Sequence, residues 1–179
     1  MLSILAVSGS LRAGSSNTAA LRTAAQVSPS GVKVVLYEGM GRLPHFDPDD
    51  DRDPLHPEVV ALRHALDVAD AVLFCTPEYA GTLPGSFKNL LDWCVGGTGL
   101  NDKATGWINV SPYASGGDGA LNTLRTVLGY VGARVVDEAC THLPVPRGTL
   151  AEDGTVHDET VRAQVTTLLE ALVRPSNPD

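Results

Sequence analysis

Cysteine, positive charge and long apolar runs are all scarce in this chain, and each scarcity removes a class of protein. Of 179 residues only three are cysteines, Cys75, Cys94 and Cys140, widely separated and each among apolar neighbours. Their number is odd and no C-x-x-C occurs, which argues against a disulfide framework and reads as three small buried hydrophobes. Lys and Arg total 13 against 21 Asp and Glu, a formal charge of −8. Nucleic acids and anionic membranes reward clustered cations, so neither is expected as a partner. No apolar stretch is long enough to span a bilayer. Met1–Val7 is apolar but short and has no basic residue before it, so it reads as a first buried strand and not as a signal peptide. These features lead us to expect a cytoplasmic protein. The five histidines, His45, His56, His64, His142 and His157, fall at no ligand spacing, and their order suggests no Ser-His-Asp or Cys-His arrangement.

What remains is ordinary globular composition, 43% apolar and 19% charged, in a chain long enough to bury roughly 70% of its unfolded surface without a staple. Two periodicities alternate along it. Short apolar runs at Leu2–Val7, Val32–Tyr37, Ala71–Cys75, Trp107–Val110 and Arg134–Val136 read as buried parallel strands. Between them lie helical patterns. One opens near Asn17 or Thr18 and carries Leu21, Ala24 and Ala25, and one follows Pro57 with Val59, Leu62 and Leu66. A third follows Pro84 with Phe87, Leu90, Leu91 and Cys94, a fourth carries Leu121, Leu124 and Leu128, and the last runs from Val161 to Leu172. Strand then helix, five times, predicts an α/β fold with a doubly wound five-stranded parallel sheet and helices on both faces. No linker divides the chain, so residues 1–174 read as a single domain and 175–179 as a flexible tail. Gly39–His56, rich in aspartate, reads as a solvated surface loop in preference to a metal site.

Ligands of such sheets bind beyond the C-terminal strand ends, where strand order reverses. Three loops leave those ends. Ser8–Thr18 reads S-G-S-L-R-A-G-S-S-N-T, with hydroxyl, amide and guanidinium donors ahead of a helix N-terminus. That composition suits a phosphate cradle without lysine. It is neither G-x-G-x-x-G nor G-x-x-x-x-G-K-S/T, so neither a dinucleotide fold nor an NTPase is indicated, and a plain N-capped helix after a polar turn stays open. Thr76–Trp93 reads T-P-E-Y-A-G-T-L-P-G-S-F-K-N-L-L-D-W, and Ser111–Gly119 reads S-P-Y-A-S-G-G-D-G.

Together the first two loops resemble the NAD(P)H-dependent FMN reductase family of flavin, quinone, azo and chromate reductases. That family typically has G-S-x-R-x-x-S-x-N after strand one and T-P-E-Y-x-x-T-x-P-G-x-x-K-N-x-x-D-W after strand three, and both are present in order. The resemblance covers nearly the whole chain and implies a flavodoxin-like fold. It implies that Ser10, Arg12, Ser15 or Ser16, Asn17 and Thr18 hold the FMN phosphate. Pro77, Glu78, Tyr79, Ala80 and Gly81 would line the flavin ring, and Ser111, Ser115, Gly116 and Gly117 would approach it. Lys88, Asn89, Asp92 and Trp93 would serve structure or a subunit interface. Two positions depart from the pattern: Ala80 stands where many relatives have Asn, and Asp118 where many have Arg. Tyr113 would either cover the ring or pack against its loop. The implied chemistry passes hydride from NADPH or NADH to flavin N5 and on to a small acceptor, such as a flavin or quinone, by a ping-pong course with no catalytic side chain. A homodimer or homotetramer is also implied, with the apolar helix at Phe87–Trp93 either at the contact or committed to its own sheet. A flavodoxin-type electron carrier without NAD(P)H oxidase activity is the alternative.

Overall fold

A computed structural model of the chain describes residues 1–174. Five strands, β1 (Leu2–Ser8), β2 (Val32–Tyr37), β3 (Ala71–Cys75), β4 (Ala104–Asn109) and β5 (Arg134–His142), pair in parallel in the order β2-β1-β3-β4-β5. The connecting helices are α1 (Ser16–Gln26), α2 (Pro57–Val68), α3 (Gly85–Trp93) and α4 (Asp118–Tyr130), with α5 (Glu159–Leu172) following β5. The doubly wound α/β sheet expected from the alternating periodicities is thus present. The expected tail, 175–179, lies outside the described residues.

Alternate side chains along each strand feed two cores. Ile4 and Ala6 of β1 join Ala19, Ala20, Leu21 and Ala24 of α1 and Val165, Leu168 and Leu169 of α5 on one face. Leu5 and Val7 join residues of α2, α3 and α4 on the other, among them Leu62, Phe87 and Leu124. Phe87, Leu90, Leu91 and Trp93 are all buried in this second core, so the apolar face of α3 is committed to its own sheet. Alanines on α1 let it lie close to β1 and β3, which brings its N-terminus over the strand ends.

Two regions differ from the pattern read in the sequence. β5 extends to His142, well past Val136. Its pairing with β4 shifts register between Thr105 and Trp107, so that Thr105 faces Val135 but Trp107 faces Cys140. The extra residues bulge out with Asp137 and Glu138 exposed, which interrupts the apolar run without ending the strand. The second region is Gly39–His56, which is acidic but anchored. Asn89 Oδ1 accepts from Phe46 N at 2.7 Å, while Asn89 Nδ2 and Trp93 Nε1 both donate to the Pro44 carbonyl, at 2.8 and 2.9 Å. Phe46 meets Trp93 edge to face at 4.9 Å, and Asp51 forms a largely buried ion pair with Arg63 at 2.7 Å. Asn89 and Trp93 therefore have the structural role expected of them. Among the described residues no His/Cys/Asp/Glu group could hold a metal ion.

The three thiols are unpaired. Burial raises the pKa of Cys94 to about 12 and, less strongly, that of Cys140 to about 11; Cys75, wholly enclosed, is raised further. Folding thus favours the neutral thiols. Their stabilising effect is complete below the unfolded thiol pKa of about 8.5 and is lost as pH rises above it. Cys75 and Cys94 should each steepen the fall in unfolding free energy by about 1.4 kcal/mol per pH unit in that range. Urea titrations at increasing pH should show this slope, and Cys94→Ala should remove one thiol's share of it.

A second prediction concerns the turn after Tyr79. Tyr79 N donates to Thr82 O at 2.9 Å and Thr82 N to Tyr79 O at 3.1 Å, and the two residues between, Ala80 and Gly81, have φ of +50° and +78°. Two successive positive φ values define a turn that favours Asn-Gly, and alanine in that conformation is strained by roughly 1–2 kcal/mol. An Asn at position 80 would suit this backbone. Ala80→Asn should raise stability by about 0.5–1 kcal/mol, read as a higher urea midpoint; an unchanged midpoint would mean the turn is unstrained.

Candidate functional site

β1 and β3 are neighbours, but their chains leave toward opposite faces, α1 to one and α3 to the other. A cleft of about 620 Å³ opens at this switch point. Its first wall is the loop into α1, which is braced by its own hydroxyls. Ser10 N donates to Ser8 Oγ and Arg12 N to Ser10 Oγ, each at 3.3 Å. Ser15 is the N-cap of α1, its Oγ accepting from Asn17 N at 3.2 Å. Asn17 is buried and its Oδ1 accepts from the Cys75 thiol at 3.3 Å. Ser16 Oγ is buried with no hydrogen-bond partner among the described residues. The cleft lining takes in Ser10, Arg12, Ser15, Ser16 and Asn17.

The second wall is Thr76, Pro77, Glu78 and Tyr79. Glu78 lines the cleft while its carboxylate reaches across to α4. Its Oε2 accepts from Gly119 N at 2.8 Å and Ala120 N at 3.3 Å, and so caps α4 from a different loop. The N-cap residue of α4, Gly117, has no side chain to do this itself. The fit is close: a Cβ on Gly119 would collide with the Gly81 carbonyl, and the Thr82 and Thr123 hydroxyls meet at 2.9 Å.

Asn109, at the end of β4, pins the third wall. Its Nδ2 donates to Gly116 O at 2.8 Å and its Oδ1 accepts from Ser111 N at 3.0 Å, so one side chain holds both ends of the loop. Ser111, Pro112, Tyr113, Gly116 and Gly117 line the cleft here. Tyr113 is 74% exposed and Tyr79 53%, so neither ring is packed beneath its loop. Asp118 begins α4 and does not line the cleft.

Four residues assigned to the site from sequence fall outside the lining: Thr18, Ala80, Gly81 and Ser115. The Thr18 hydroxyl pairs with Ser8 Oγ at 2.9 Å and faces a smaller cavity behind the loop. Ala80 and Gly81 form the tip of the turn, and Ser115 is exposed. Conversely, a fourth wall of Val145, Pro146 and Arg147 was not foreseen. It depends on the full length of β5: Leu143 N donates to Asn109 O at 2.8 Å and Val145 N to Val110 O at 3.1 Å, which draws the chain after β5 onto the cleft. Thr76, the first residue after β3, and Asn109, the last of β4, were also missed, although each stands at a loop already suspected.

The family model described as NADPH-dependent FMN reductase matches residues 2–144. Among curated relatives, an NAD(P)H-dependent FMN reductase of Pseudomonas aeruginosa is 39% identical over 92 residues, covering 51% of this chain and 49% of that protein. A quinone reductase of Pseudomonas putida is 30% identical over 161 residues, covering 88% of this chain and 86% of the relative. Among solved structures, the flavoenzyme NAD(P)H:(acceptor) oxidoreductase FerB of Paracoccus denitrificans superposes with a TM-score of 0.76 at 27% identity, covering 96% of this chain and 97% of its own. The chain belongs to the NADPH-dependent FMN reductase family.

Proposed function

We propose that this chain holds FMN in the cleft and uses it to carry reducing equivalents from NADPH or NADH to a flavin, quinone or similar small acceptor. The observation that carries the reading is Ser16 Oγ, a buried hydroxyl on the cleft wall at the start of α1 with no partner among the described residues. Buried polar groups are seldom left unpaired. Beside it lie first-turn N–H groups that a helix cannot pair internally, the positive end of the helix dipole and the Arg12 guanidinium. A phosphate satisfies all of these at once. The residues present therefore fit the phosphate end of FMN, and a 620 Å³ cleft is of the size that takes such a ligand.

Bound FMN supplies a ring that accepts two electrons and gives them up again. The protein's part is positioning. Ser10, Arg12, Ser15, Ser16 and Asn17 would hold the phosphate, and Thr76–Tyr79 would present backbone to the ring. Ser111, Gly116 and Gly117 would face it from the other side. Glu78, the one carboxylate in the lining, is held by two backbone N–H groups and caps α4. The exposed rings of Tyr79 and Tyr113 border an open mouth where donor and acceptor would take turns, which is the basis for expecting a ping-pong course. The reading extends to residues 1–174 as one FMN-binding domain and to a homodimer or homotetramer. Three unpaired thiols suit a reducing compartment such as the cytoplasm.

FMN-loaded protein mixed anaerobically with NADPH should lose its flavin absorbance within seconds. Initial rates over both substrates should give parallel double-reciprocal lines. Bound flavin that stays oxidised would mark an electron carrier, absence of flavin binding would overturn the reading, and intersecting lines would remove the ping-pong course alone. Ser16→Ala separates the phosphate seat from the fold. Because Ser16 Oγ pairs with nothing described, its loss should leave the stability of the flavin-free protein unchanged. FMN affinity should fall by about three- to tenfold while riboflavin, which has no phosphate, binds as before.

A further inference from the structure

The first three walls of the cleft come from loops that the family motifs mark, but the fourth does not. The family match ends at residue 144, just before Val145, Pro146 and Arg147. This segment is held firmly. Val145 N is bonded to Val110 O, and Thr149 returns both its N–H and its hydroxyl to the Pro146 carbonyl, at 3.0 and 2.7 Å, closing a 3-10 turn over Arg147–Thr149. Arg147 is thus carried on a fixed turn at the edge of the cleft.

Its guanidinium has no hydrogen bond or ion pair among the described residues, and Glu78, the acid that lines the same cleft, is engaged in capping α4. The charged residues of the lining are Arg12, Glu78 and Arg147. With Glu78 committed, the cleft is a cationic spot on a chain of net charge −8. A low-dielectric cleft concentrates such a field, and an anionic ligand is what it selects. A guanidinium presents paired N–H donors that match a phosphate better than any other side chain.

We propose that Arg147, supplied by the segment after β5 and not by the α1 loop, is a further phosphate-recognising residue of this cleft. The inference rests on the flavin reading of the cleft. Two phosphate sources are compatible with its position: the FMN phosphate and the phosphates of the nicotinamide dinucleotide.

The test compares the wild type with Arg147→Gln and Arg147→Lys. FMN and riboflavin affinities are read from flavin fluorescence on stripped protein, and KM and kcat are read with NADPH and with NADH. If FMN is the source, Arg147→Gln should weaken FMN about tenfold and leave riboflavin unchanged. If the dinucleotide is the source, FMN affinity should hold while KM for the nicotinamide rises about tenfold with kcat retained. A rise for NADPH alone would indicate its 2′-phosphate. Arg147→Lys should recover part of either loss. Equal weakening of FMN and riboflavin would reveal a merely structural role, and no change in any of these quantities would also overturn the inference. Wild-type protein that binds no flavin would instead sink the cofactor reading on which the inference stands.

Discussion

Parallel pairing of β1 with β3, followed by departure to opposite faces, is the constraint on which the rest of the site depends. Once α1 packs on one face and α3 on the other, the ends of the two central strands are left without cover. Gly9, the first residue beyond β1, donates its N–H to Cys75 O at 2.9 Å, so the two exits stay in register as they diverge. The polar groups of both exits must then find partners in the loops themselves, because no helix crosses above them. That need explains why Ser8–Thr18 is rich in serine, glycine, asparagine and threonine. The same demand that keeps the backbone satisfied produces a surface dense in donors.

How the walls are joined follows from this. Val110 and Val145 carry one core as far as the cleft, but the loops above it are held by single polar side chains that each serve two backbone segments. Asn109 closes the loop after β4 at both ends, and Glu78 ties the turn after β3 to the first turn of α4. Such contacts are directional and fix orientation as well as proximity. A net hydrogen bond of about 1 kcal/mol would not build a core, but two at one side chain fix a loop that has little else to do than hold its shape. The strained Ala80 turn is tolerated for the same reason, since both its flanks are docked against α4.

The sequence was most legible where one residue's neighbours in the chain are also its neighbours in space. Apolar runs located all five strands, and i, i+3, i+4 spacing located the helices. In the contiguous loop before α1, Ser10, Arg12, Ser15, Ser16 and Asn17 all line the cleft. Legibility failed where side-chain direction or distant pairing decided the outcome. Thr18 directly follows Asn17 in sequence, yet its place on α1 turns its hydroxyl toward Ser8. Asp137 and Glu138 read as the end of a strand because nothing local reveals that they bulge opposite Gly106 while pairing resumes at Cys140. That error hid Val145–Arg147 as well, since only a strand continuing to His142 delivers them to the cleft. The acidic segment Gly39–His56 lies at the surface as read, with Asp47, Asp49, Asp50 and Asp53 exposed, but its attachment was not legible. Its aspartates are what a solvated loop contains, and its anchor lies on α3, more than forty residues away, in Asn89 and Trp93.

A fold shared by enzymes and electron carriers does not decide between them, so the distinction has to come from the cleft rim. A carrier benefits from a covered cofactor that gives up electrons only to a docked partner. An enzyme that accepts a small donor and then a small acceptor needs one face left open to both. Here the two tyrosines at the rim stand in solvent, 53% and 74% exposed, and neither closes over the cleft. The polar donors gather at the α1 end, while the opposite end presents backbone and flat rings. On the proposed reading, the first end would grip a permanent ligand by its charge, and the second would let transient ligands enter by stacking. Tight recognition at one end and loose recognition at the other is what successive use of a single site requires, because a mouth that bound either substrate tightly would delay the exchange between them.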